Sequence, residues 1–423
     1  MSDLLIKNGR VIDPANGVDG QFDLLIEKGK ISAVKKSISD GSRKIIDAKG
    51  KWVAPGLVDI HTHFREPGYE YKETIETGAR AAAVGGFTSV ACMANTNPVN
   101  DCGAVTEFIL DKAKSAIVNV HPIGAVTRGL KGEALADIGE MAELGVAALS
   151  DDGKCITNGS VLRAAMEYAS MFGLTIMEHA DDYGISQNGS MNEGSVSSEL
   201  GLAGAPAIAE DIITARDISI AEYCKAPIHF CHVSTAGCAE LIRRAKDRGA
   251  QVTAEAAPHH FSITDEACRG YNTNAKMAPP LRHDSDVTAI IEGLSDGTID
   301  CIASDHAPHS LFEKQVEFDN AAFGIVGLET SLGLSMALVH NSHMTPAKLI
   351  EAMSLKPAGI IGIDRGTLTP GAVADVTIID PDLEWTVEPS EFKSKGRNTP
   401  FAGQKLKGKA VYTIVKGKVV SKC

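Results

Sequence analysis

Leu57-Val58-Asp59-Ile60-His61-Thr62-His63 is an apolar run that ends in two imidazoles, and its reading decides the fold. A strand turns successive side chains to opposite faces, so His61 and His63 share one face. Two neutral imidazoles at a strand end form half of a site for a zinc-like ion. A lone His-X-His is weak evidence, because a pair at this spacing is more often incidental. The pattern recurs downstream, however. Ser150-Asp151-Asp152-Gly153, Glu178-His179-Ala180, Cys231-His232-Val233-Ser234-Thr235 and Ser304-Asp305-His306-Ala307-Pro308-His309 each follow a short β-rich apolar run.

Outward from that stretch, strand-like runs at about residues 57–61, 87–92, 117–123, 145–149, 174–178, 227–231, 251–255 and 298–303 alternate with helical periodicity. The helical segments include Thr74 to Val84, Glu133 to Leu144, Ser160 to Phe172, Ala207 to Cys224 and Gly237 to Arg248. Eight strands, each followed by a helix, point to an α/β chain with a closed (β/α)8 TIM-type barrel. An open doubly wound sheet is the alternative, but it would spread the polar strand ends along a line. Both chain ends read as short strands with Asn-Gly and Lys-Gly turns, and an isolated hairpin is marginal. They are therefore expected to build one small β-sandwich together. The expected division is residues 1–54 for its first part, 55–367 for the barrel and 368–423 for its second part. The Gly- and Ser-rich stretch Gly184 to Ser198 is long for a barrel connection, and reads as a surface excursion or as part of a substrate mouth.

A chain of 423 residues has room for a large domain and a smaller one. Its net charge of −13 argues against a nucleic-acid partner, which needs a basic stripe. It leaves an anionic small substrate open, because a few local cations and a metal dominate a pocket's field. The odd count of nine cysteines, without a CxxC pair, fits reduced thiols in a cytoplasmic protein. Neither a signal peptide nor a membrane span is expected. Cys231 directly precedes His232, so strand alternation would turn it away from that ligand.

The constellation comprises His61 and His63, Asp152, His179, His232 and Asp305. Three or four such ligands hold one zinc with a position open for water; six, with a shared carboxylate, allow two. Such a centre suits hydrolysis of unreactive amides. A structural zinc would show clustered thiolates, whereas these six span residues 61 to 305. Asp305 has a second candidate role as proton carrier. Asp151 competes with Asp152, since adjacent residues face opposite ways. Arg65 offers a fork for a carboxylate, and Asn95 an amide donor to the same group, with His309 nearby; the plain readings are a surface Arg, a turn Asn and a capping His. His259 and His260 either line the pocket or cap a helix. His229 and His121 read as structural.

Val53 through Gly68, Lys72 through Gly78, Ser304 through His309 and Phe323-Gly324-Ile325-Val326-Gly327-Leu328-Glu329-Thr330 resemble bacterial class I dihydroorotases of the amidohydrolase superfamily, essentially end to end. The resemblance implies zinc-dependent, reversible cyclisation of N-carbamoyl-L-aspartate to L-dihydroorotate in pyrimidine biosynthesis, with a zinc-bound hydroxide and Asp305 as general acid and base. It implies that His61, His63 and Asp305 hold one metal, that His179 and His232 hold the second, and that Asp152 bridges. Two zinc ions are expected, although one remains open. Arg65, Asn95 and His309 are the implied carboxylate contacts, with His63 adjoining them, and backbone groups of Phe323 and Gly324 would address the ring. One departure stands out: the family usually has Asn before Pro-Pro-Leu-Arg, and here Ala278 precedes Pro279-Pro280-Leu281-Arg282. A water, a backbone group or Asn274 would have to substitute.

Two other classes compete. Hydantoinases and allantoinases share the His-X-His and Asp-His-Ala-Pro-His blocks, but typically bridge their metals with a carboxylated lysine ending the fourth strand. Gly145 to Ser150 contains no lysine, and Lys154 lies beyond it. An inactive homologue scaffolding aspartate transcarbamoylase would be expected to lose ligands, and all six are present. A homodimer is a family-level expectation; no motif tests association of an active enzyme with the transcarbamoylase.

Overall fold

The structure is a computed structural model that describes residues 3–39, 41, 43–187 and 189–423. Seven short parallel strands form the barrel wall: Leu57–Thr62, Phe87–Cys92, Asn119–Pro122, Ile176–Glu178, Ile228–Phe230, Val252–Ala256 and Cys301–Ile302. The first three pair in sequence order. The last four pair likewise, Ile176–Glu178 through Cys301–Ile302.

Two seams close these sheets into a ring. Leu149 bridges Gly124 on one side and Ile176 on the other, and His306 bridges Thr62, all in parallel sense. The fourth strand expected over 145–149 is thus a single bridging residue. Gly145, at φ +89°, is still ending the preceding helix, which leaves few residues to extend before Ser150. At the other seam, fully buried Asp59 accepts from the backbone N–H of both His61 and Ser304, which ties the first strand to the eighth.

The helices follow their local signals. Ile75–Gly85 starts under a Thr74/Thr77 capping box and ends at Gly86 in the left-handed region. Thr235 accepts from Cys238 N to start Ala236–Asp247. The helix expected from Glu133 begins at Ile138 instead. Arg128 N–H donates to Ala134 O and Ala136 N–H to Val126 O, and these bonds hold 134–136 out of helical geometry.

Both chain ends enter one eight-stranded sheet, the small β-sandwich of the fold. Val376–Thr386 pairs antiparallel with Trp52–Pro55, which pairs with Leu4–Asp13. Its core joins Leu4, Ile6, Val11, Leu24, Ile26 and Val53 to Val376, Ile378, Val411 and Ile414. The stretch after the fifth barrel strand carries two short helices, Tyr183–Ser186 and Ser195–Leu200. A two-strand pairing of Met191–Asn192 with Gly204–Ala205 holds them together.

Candidate metal centre and active site

The strand ends converge. His61, His63, Asp152, His179, His232 and Asp305 are all at most 5% exposed. Oδ1 of Asp152 lies 3.4 Å from His61 Nε2, 3.5 Å from His179 Nδ1 and 3.2 Å from His232 Nε2; its Oδ2 lies 3.4 Å from His63 Nε2. Asp305 Oδ1 stands 3.1 Å from His63 Nε2 and 3.4 Å from His61 Nε2. Asp152 thus sits between the His61/His63 pair and the His179/His232 pair. His232 (φ +33°) and Asp305 (φ +45°) both hold left-handed backbone, as does Arg65 at φ +62°. Such strain in residues with a Cβ concentrates at working sites.

The chemistry of these donors fits divalent cations. His61 Nδ1–H donates to Glu255 Oε1 at 2.5 Å, and His63 Nδ1–H to Asn95 Oδ1 at 3.0 Å. Each Nε2 lone pair therefore faces carboxylate oxygens, an arrangement of acceptors against acceptors that a shared cation satisfies. Buried His61 Nε2 has no hydrogen-bond partner among the described residues. Against the opposing effect of burial, His61, His179 and His232 hold the Asp152 carboxyl well below the usual range. Asp305 is lowered too, again against burial, by His61, His63 and His232.

Asp151 takes a different part. It accepts from Val126 N at 2.8 Å, from Thr127 N at 2.9 Å and from the Thr127 hydroxyl, which fixes the loop while Asp152 turns inward. Gly153 follows at φ +80°, where a Cβ would lie 3.2 Å from Asn95 Nδ2. The Cys231 sulfur lies beside His61 and Glu255, the three ligand atoms within 4.8 Å of one another.

A cavity of about 560 Å³ opens above the centre, lined by His63, Arg65, Asn95, Asp152, His179, His232, Asp305, His309, Phe323 and Gly324 among others. That volume suits a small-molecule ligand. Arg65 Nη2 lies 3.3 Å from His309 Nε2, and its Nε donates to Pro308 O. Burial, then Arg65 and Lys72, pushes the His309 imidazole down to about 2, so it is neutral beside these cations. Tyr183, Ser186, Ser190, Ala205 and Pro206 also line the cavity, so the long 183–206 connection forms part of the mouth.

Phe323 and Gly324 both line the cavity. Gly324 N–H donates to Lys276 O, and its carbonyl accepts from Asn398 Nδ2 and Lys314 Nζ. Phe323 has no backbone hydrogen bond among the described residues. Asn274 is not among the cavity residues, while Ala278 is. His259 and His260 lie in the buried helix Pro258–Ser262 rather than on the cavity wall. His229 is satisfied inside the barrel by Thr253 and Glu255. Reading of the strands missed Glu255; its signal was a carboxylate two residues after Thr253, on the same face of the short strand Val252–Ala256.

A family model described as dihydro-orotase-like matches residues 50–237, and an amidohydrolase family model matches 232–421. A curated dihydroorotase of Citrifermentans bemidjiense is 55% identical over 420 residues, covering 99% of each chain. The chain belongs to the dihydroorotase family. A second dihydroorotase, from Geobacter metallireducens, is 54% identical over 421 residues, again with 99% of each chain covered. Among solved structures, L-hydantoinase (dihydropyrimidinase) from Arthrobacter aurescens superposes with a TM-score of 0.89 at 28% identity, covering 100% of this chain and 96% of the other. The dihydropyrimidinase of Brevibacillus agri, at 21% identity and a TM-score of 0.88, shares the fold. Membership of a metal-dependent family agrees with the donor chemistry of the six side chains. This dihydroorotase-family chain has no lysine from Gly145 to Ser150. Lys154 Nζ lies over the Tyr183 ring, 5.8 Å from its centroid.

Proposed function

We propose that this chain catalyses the reversible cyclisation of N-carbamoyl-L-aspartate to L-dihydroorotate and water in pyrimidine biosynthesis, with two zinc ions. The observation that carries the reading is the position of Asp152, between two histidine pairs and beneath a small-molecule cavity with one arginine beside its neutral histidine. His61, His63 and Asp305 would hold one ion and His179 and His232 the other, with Asp152 shared. When bound, zinc would acidify water and polarise a carbonyl.

The chain's own residues do the rest. Arg65 and the Asn95 amide N–H grip the substrate carboxylate, the Asn95 oxygen being already taken by His63. His309 closes the same corner beside Arg65. Phe323, with free backbone groups, addresses the ring. In the hydrolytic direction Asp305 takes a proton from the attacking water and returns it to the ring nitrogen as the C–N bond breaks. In synthesis the carbamoyl nitrogen attacks the side-chain carboxyl carbon, and the proton travels the other way to release water.

Purified protein should hydrolyse dihydroorotate and cyclise carbamoyl aspartate, with zinc measured by elemental analysis. Turnover of hydantoin without dihydroorotate would overturn the reading. Two zinc ions per chain are expected; a single ion would leave the bridging role of Asp152 without support. The division into 1–54, 55–367 and 368–423 is kept as the domain proposal. A homodimer in the cytoplasm rests on family likeness and on nine free cysteines, and light scattering tests the first. Binding to aspartate transcarbamoylase can be tested by co-purification. Among the described residues no helix is long and apolar enough to cross a membrane.

A further inference from the structure

Behind the metal-facing imidazole of His61 lies a buried polar chain that the proposed reaction does not use. Glu255 Oε1 accepts from His61 Nδ1 at 2.5 Å and from the backbone N–H of His232 at 3.3 Å. Its Oε2 lies 3.1 Å from His229 Nε2, and His229 Nδ1 lies 2.9 Å from Thr253 Oγ1. His61, His229 and Glu255 are each no more than 1% exposed. Strand register builds the chain: His229 pairs with Thr253 across the sixth and seventh barrel strands, and Glu255, two residues on, shares the face of Thr253.

A carboxylate buried this deeply in an apolar barrel is costly unless it is paired. An aliphatic residue would fill the same volume without that cost, so packing alone does not account for Glu255. Its two oxygens divide the work. One orients His61 and braces the strand end that carries His232; the other is anchored by His229. We infer that Glu255, backed by His229, is a positioning residue for the metal centre: it fixes the His61 tautomer and ring angle so that Nε2 points its lone pair into the site. The inference rests on the metal-centre reading above. The nearby sulfurs of Cys231 and Cys301 do not make this a second metal site, because both His229 nitrogens and both Glu255 oxygens already have partners.

The test compares zinc affinity, measured by competition with a chromophoric chelator, with the melting temperature of the metal-stripped protein. Wild type, Glu255→Gln and His229→Gln are run together. Zinc affinity of Glu255→Gln should fall about 10–100-fold, the usual effect of losing such a partner, while the stripped protein melts where wild type does. His229→Gln should give a smaller loss in the same direction, and it decides the matter if Glu255→Gln folds poorly. Wild-type zinc affinity in both variants would overturn the positioning role and leave the metal-centre reading standing. Wild type that binds no zinc would instead remove the metal-centre reading itself.

Discussion

At the residue scale, the proposed reaction gives Asp305 two duties on one carboxylate, metal ligand and proton carrier, and its backbone there is left-handed at φ +45°. Asp305→Ala should lower dihydroorotate turnover by at least about 10²-fold, the scale of lost acid–base catalysis, with the circular dichroism spectrum of the folded chain retained. Near-normal turnover would contradict the mechanism. Arg65 is the positioned fork beside His309. Arg65→Lys keeps the charge but not the two-pronged geometry, so KM for dihydroorotate should rise about tenfold with kcat changed far less. An equal fall in kcat at constant KM would place Arg65 in the chemical step instead.

At the element scale, the loop over 311–324 depends on a buried amine. Lys314 Nζ donates to the carbonyls of Ala322 at 2.7 Å, Gly324 at 3.2 Å and Lys276 at 3.5 Å. Lys314→Met leaves the Ala322 carbonyl unpaired and removes one of two donors from the carbonyls of Gly324 and Lys276. Urea unfolding should show a loss of about 1–3 kcal/mol, the cost of unsatisfied buried polar groups, and no change in the midpoint would show the loop to be held by other contacts. The segment around Lys393–Ser394 gives a pH signature. Both residues donate backbone N–H groups to Glu329 Oε1, yet burial outweighs them and raises this carboxyl from 4.5 to about 7. The folded chain therefore binds more protons than the unfolded chain between those values. Glu329's favourable contribution is fully present below about pH 4.5 and is lost as pH rises through about 7. Melting curves of wild type should fall from pH 5 to pH 8 more steeply than those of Glu329→Gln; parallel curves would show that the carboxyl titrates normally.

At the scale of the whole molecule, residues more than 300 positions apart share one sheet. Val376 pairs with Pro55 and Ile378 with Val53, and both ends fill a single apolar core. A chain ending at residue 367 loses that covering over Leu24, Ile26 and Val53. It is expected to aggregate on expression, scored by soluble yield, whereas recovery of a soluble, cooperatively melting fragment would show that the barrel stands alone. Closure of the ring has the same long-range character. Asp59 holds Ser304, and His306 bridges Thr62, so the ends of the first and eighth strands bring His61, His63 and Asp305 to one place.

The sequence alone determined what is periodic or sits at an element's end: the alternating strands and helices, the two-part sandwich, and ligand-type side chains at successive strand ends. Those features follow from the two-residue repeat of a strand and the polarity of its termini, which are local. Tertiary structure decided what depends on a partner remote in sequence. Asp151 turned to Val126 and Thr127 while Asp152 turned to the histidines, though the two differ by one position. Gly324 spent its backbone on Lys276, Lys314 and Asn398, and the 183–206 connection became a cavity wall. Glu255, unmarked by any motif, came to stand behind His61 because barrel closure lets side chains of the first and seventh strands meet in the interior, and no periodicity along the chain encodes that approach.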